Sequence, residues 1–164
     1  MMKLSQDNIN ARSPYKVEAI MHGFAFVTDA GIHYEITFKE DQPIGDCDTY
    51  QFIIDKVENE RSPHDANVER TILAILDEFF IENLNVLLYL CDTSDDRQAG
   101  RNRLFLTWFE RNAEPNRFTI RTADAEVEGM RIYAAIIVEN RNPKLQAITD
   151  DFDATAEALT NKPE

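Results

Sequence analysis

Three aspartates, three arginines and a tryptophan stand in the stretch YLCDTSDDRQAGRNRLFLTWFE, Tyr89 to Glu110, and these residues are the ones best suited to chemistry. Carboxylates and guanidinium forks gathered at one join either brace each other or receive an outside anion such as phosphate or carboxylate. The spacing predicts a strand ending near Asp92 and a helix starting near Asp95, capped by Thr93 or Ser94. At helical pitch Leu104, Phe105, Trp108 and Phe109 form an apolar arc, Arg101 falls inside it, Arg97 lies near its edge, and Arg103 and Arg111 point away. A guanidinium on a covered face needs acceptors, because an unpaired buried charge is costly. Asp92, Asp95 or backbone carbonyls supply them if the cluster is structural. If it is a site, free N–H groups of the helix start join Arg97 and Arg101 around an anion. The aspartates favour the structural account, since they repel phosphate. No metal is assigned, because Asp92, Asp95 and Asp96 lack the ligand spacing and glycine of a calcium loop.

Other candidates carry less. His22, His33 and His64 are scattered, without a second histidine at ligand spacing or a nucleophile placed to use them. Cys47 and Cys91 are isolated, which predicts reduced thiols rather than a disulfide or a zinc site. No GxSxG, P-loop, GxGxxG or HExxH pattern occurs, so no catalytic residue and no cofactor is assigned.

The elements that position the join follow from periodicity. In GFAFVTDAGIHYEITFKED, Phe24 and Phe26 alternate before Asp29 and Gly31, and Ile32, Tyr34, Ile36 and Phe38 alternate after them, which predicts a hairpin with one covered face. His33, Glu35, Thr37 and Lys39 then take the wetter face, and YKVEAI adds a short strand before it. QPIGDCD reads as a connection and TYQFIIDKVE as a strand. SPHD starts a helix with Ser62 as cap, whose stripe is Val68, Ile72, Ile75, Leu76 and Phe79. Val86 to Cys91 is nearly all apolar, an interior strand. Two strands, NRFTIRTA and GMRIYAAIIVE, flank the acidic turn region DAEVEG, and Pro143 opens a last helix with Leu145, Ile148, Phe152, Ala156 and Leu159 on one side.

This order predicts an α+β fold: a mostly antiparallel sheet of five to six strands, two or three helices mainly on one face, and room for a parallel pair at its centre. Residues 1–14 are expected to be a flexible segment and residues 15–160 a single domain. Thirty acidic and seventeen basic residues give a formal net charge of -13, which disfavours nucleic acid and anionic membranes and attracts a basic partner. No apolar run spans a bilayer and the start lacks a secretory h-region, so a cytoplasmic location is expected.

The segments FAFVTDAGIHYEITF and YLCDTSDDRQAGRNRLFLTWF together resemble a family of small bacterial proteins catalogued only as a domain of unknown function, over about Tyr15 to Phe152. The resemblance implies a bacterial cytosolic protein and no mechanism. Three functions remain open. The first is a non-enzymatic acidic interaction protein, of accessory, immunity or inhibitor type, with a protein partner or self-association. The second is a small-ligand binder or enzyme holding an anionic group at Asp92, Arg97 and Arg101. The third is a nucleic-acid mimic, which the dispersed acids support least.

Overall fold

The computed structural model describes residues 3–57, 64–92 and 105–160, with side chains throughout except at Cys91, Asp92, Val127 and Thr160. Its strands are β1 (Glu18–Ile20), β2 (Gly23–Val27), β3 (His33–Ile44), β4 (Cys47–Lys56), β5 (Val86–Asp92), β6 (Phe118–Val127) and β7 (Met130–Glu139). They form one sheet in the order β1-β2-β3-β4-β5-β7-β6. The helices are α1 (Gln6–Arg12), α2 (Ala66–Glu82), α3 (described over residues 105–112) and α4 (Leu145–Thr160). The α+β class and the mostly antiparallel sheet are as expected. Among the described residues the strands number seven and the helices four, slightly more than expected.

The chain divides into two compact units, Met1–Lys39 with Phe52–Leu84 and Glu40–Gln51 with Asn85–Glu164. In the first, the expected alternation is realised: Phe24 faces Ile36 and Phe26 faces Tyr34 across β2 and β3. Phe24, Phe26, Ile36 and Phe38 are buried, and Phe38 stacks on Phe79 of α2 at 5.2 Å. The opposite face carries His33, exposed, beside Val27. α2 is capped by Asp65, whose carboxylate accepts the Asn67 N–H at 2.9 Å. The expected cap Ser62 and Pro63 lie outside the described residues.

Part of the segment expected to be flexible is helical. α1 is capped by Ser5 and buries Ile9 completely. One buried residue in seven gives no periodic signal, so the helix depends on what it touches. Asn8 Nδ2 and Arg12 Nη2 donate to the two oxygens of Glu78, at 3.2 and 2.8 Å. The Lys3 N–H donates to Asn83 Oδ1 and Asn83 Nδ2 returns a bond to the Lys3 carbonyl.

In the second unit β5 is the interior strand expected. It pairs parallel with β4 (Thr49 with Val86) and antiparallel with β7 (Leu88 with Ile136). Val86, Leu88, Ile136 and Val138 point to one face, where Ile148 and Phe152 of α4 join them with Cys47. Cys47 is buried there outside any disulfide, and its sulfur accepts from Asn142 Nδ2 at 3.7 Å. The other face takes α3, whose Phe109 reaches Phe118 of β6 at 5.2 Å. Helices therefore cover both faces in this unit, because β5 and β7 are apolar on both.

Two expected connections are shorter than they read. β3 runs through Pro43 to Ile44, and the turn is only Gly45 and Asp46, at φ 58° and 60°, the left-handed pair that a two-residue hairpin requires. Pro43 is tolerated because β2 pairs with β3 only as far as Thr37, leaving that side of the strand open. Likewise β6 continues to Val127, so the acidic residues Asp124 and Glu126 belong to a strand and the turn is Glu128 and Gly129.

Candidate functional site

Asp92 is the last residue of β5, in register with Ile132. Asp95, Arg97 and Arg101 lie outside the described residues, so the structure neither assembles nor disperses the proposed anion cluster. In the described part of α3, Phe105, Leu106 and Phe109 are buried while Trp108 is half-buried, so the inward arc includes Leu106 and leaves Trp108 at its edge.

A different feature stands out in the second unit. The first half of α4 fills its face of the sheet, with Ile148 and Phe152 seated on Val86, Ile136 and Val138. One turn further along, the residue facing the sheet is Ala156, and the floor beneath it is Ala123 and Ala125 on β6 and Ala134 on β7. Register brings the floor together: Ala123 pairs with Ala134 and Ala125 with Ile132. Small side chains on both walls leave a partly open cavity of about 340 Å³, lined also by Leu88, Leu90, Phe152 and Leu159. Leu90 is 39% exposed, and no described residue fills the space in front of it. An apolar void of this size falls in the range that holds small ligands.

Polar groups lie only at the rim. They come from the end of β3, Asp41 and Gln42, and from α4, Asp151 and Thr155. Asp151 is held in place: one oxygen accepts the Gly45 N–H at 2.7 Å, and the other accepts from the Thr155 hydroxyl at 3.4 Å. The Lys144 ammonium also bonds the Asp46 carbonyl, so the hairpin tip is fastened to the start of α4 at two points. The roof of the cavity is thereby anchored at one end.

The first unit has a smaller cleft, about 260 Å³, between the β2–β3 turn and the start of α2. There Tyr15 donates its hydroxyl to Asp65, and that acceptor together with burial raises the phenol above the ordinary tyrosine value. The arrangement is accounted for as the cap of α2. His64, exposed, pairs with Glu69 at 2.6 Å. Among the described residues no group of three or more His, Cys, Asp or Glu side chains is placed to hold a metal ion, and no helix is long and apolar enough to cross a membrane.

Fold and cavity define a small α+β protein with one helix roofing an alanine-floored slot. The sequence profile of a family of unknown function, DUF6169, matches residues 64–154, and the chain belongs to that family. The matched span runs from His64 through β5, α3, β6 and β7 into α4, and so includes the floor and much of the roof of the slot. Comparisons with curated proteins and with solved structures return no match.

Alanines carry no period signal, and the slot was invisible in the sequence for that reason. The one available hint was the run of small residues in RTADAEV and YAAII, whose pairing becomes evident only with the β6–β7 register.

Proposed function

We propose that this protein is a non-catalytic binder that holds a small, mostly apolar molecule in the slot under α4. The observation that carries this reading is the cavity of about 340 Å³ with apolar side chains on floor and roof and polar ones confined to its rim. Filled with water it would be unfavourable, since apolar walls offer water no hydrogen-bond partners. Calorimetry with 1-octanol tests it. Saturable one-site binding is expected, weakened at least tenfold, or about 1.4 kcal/mol, by Ala134→Leu, which places three carbons in the cavity. Circular dichroism checks that the variant is folded, and Ala156→Leu fills the same space from the roof if it is not. Binding indifferent to both substitutions, or no saturable binding, sinks the proposal.

A second reading, an acidic interaction protein with a basic protein partner, is supported by a separate surface of the first unit. Val27 and Val57, 50% and 55% exposed, flank His33, the first in register with it and the second donating its N–H to the His33 carbonyl. With a net charge of -13, this surface suits a cationic protein whose contact centre is apolar. Mass spectrometry of gently purified native material should find a partner that is lost on Val27→Asp. If neither a partner nor a self-associated state is found, this reading fails.

A further inference from the structure

Among the described residues the rim of the slot is acidic and has no basic counterpart. Asp41 and Asp151 are the charged side chains lining it, and neither has an ion-pair partner among the described residues. Asp41 accepts the Gln42 N–H at 2.7 Å through one oxygen. A carboxylate offers about four acceptor sites, so both groups keep capacity for a further donor. We infer that the molecule held in the slot is a cationic amphiphile, an alkyl or aryl amine whose tail lies on the alanine floor and whose ammonium sits at the rim beside Asp41 and Asp151. This rests on the slot being a binding site, and adds the charge and class of its ligand.

Three physical points carry it. The tail is specified by the walls, which give an apolar chain contact and give a polar one nothing to bond. The head is specified by the rim, where an ammonium gains two carboxylates and a fatty carboxylate meets two like charges. The field of a chain at net charge -13 concentrates cations and depletes anions before contact. Size follows from volume: 340 Å³ holds about eleven non-hydrogen atoms at the ~30 Å³ that a water occupies in the liquid, which fits a primary amine of about eight carbons.

The test compares three probes of one chain length, n-octylammonium, 1-octanol and octanoate, by calorimetry on the full chain at neutral pH and low salt. Octylammonium should bind tightest, about tenfold more tightly than octanoate, because attraction replaces repulsion at a partly exposed rim. Asp41→Asn should weaken octylammonium about threefold and narrow its margin over octanol. Asp151 is left alone because it fastens Gly45. If Asp41→Asn does not fold, added salt on the unaltered protein serves instead, and should weaken octylammonium while sparing octanol. Octanol binding as well as octylammonium, octanoate binding better, or salt-independent octylammonium binding overturns the inference and leaves the slot reading standing. Failure of all three probes to bind removes both.

Discussion

Alanine at Gly45 should cost about 3 kcal/mol or more of stability and lower the melting temperature by about 6–12 °C, measured by calorimetry. Two effects add. Gly45 has φ +58°, where a side chain is strained by about 1–2 kcal/mol. A Cβ there would also lie 2.4 Å from the Ile148 nitrogen and 2.6 Å from the Ala147 carbonyl carbon, backbone atoms of α4 that cannot swing aside. The hairpin tip and the helix would have to part, and the Gly45 N–H to Asp151 bond would lengthen with them. Gly31→Ala separates the two effects, because Gly31 has φ +80° with nothing within 4 Å of the added carbon. It should cost only the strain, about 1–2 kcal/mol. Equal losses at the two positions would show that the close approach of the tip to α4 is wrong. Lifting α4 opens the slot, so Gly45→Ala should also lose octanol affinity, which Gly31→Ala should retain.

Removing the cation from Glu78 is the other large effect expected. The carboxylate is 0% exposed and is met by Arg12 and Asn8 from α1. Taking away one partner of a buried pair typically costs about 3–5 kcal/mol, because the remaining charge is left uncompensated. Arg12 is 38% exposed and solvent screens part of the attraction, so Arg12→Ala should cost about 2 kcal/mol by urea unfolding. Glu78→Gln keeps the shape and the Asn8 contact without the charge. In that background Arg12→Ala should cost well under half as much, since no charge is then stranded. Additive losses would mean that Arg12 matters through its aliphatic stem rather than through Glu78.

The same pair shows where sequence reading stopped. Glu78 lies outside the expected α2 stripe of Val68, Ile72, Ile75, Leu76 and Phe79, and its charge argues for solvent. Its partners come from a short helix with no pattern of its own. Strong apolar patterning was legible, so the alternating Phe24–Phe26 and Ile36–Phe38 hairpin, the continuous Val86–Leu88 interior strand and the helically spaced Ile148–Phe152 face of α4 all match the structure. Turn chemistry was half legible: Gly45 marks a turn, but Pro43 beside it suggested a longer loop than the two residues used. The slot arises from absent volume at positions paired across β6 and β7, and absence has no periodicity. The candidate made of Asp92, Asp95, Arg97 and Arg101 was drawn from charge and helical pitch, and only the backbone of Asp92 lies among the described residues.

The alanine floor makes size selection a matter of single methyl groups. Ala123 and Ala134 sit opposite each other on hydrogen-bonded strands, so the surface they form has no loop that could yield to a larger guest. Each carbon added on either strand would displace about one methylene of whatever lies above, worth about 0.8 kcal/mol, close to a fourfold change in affinity. Preference for chain length could thus drift in small steps by changes at these positions, while the hairpin tip that fastens α4 stays as it is.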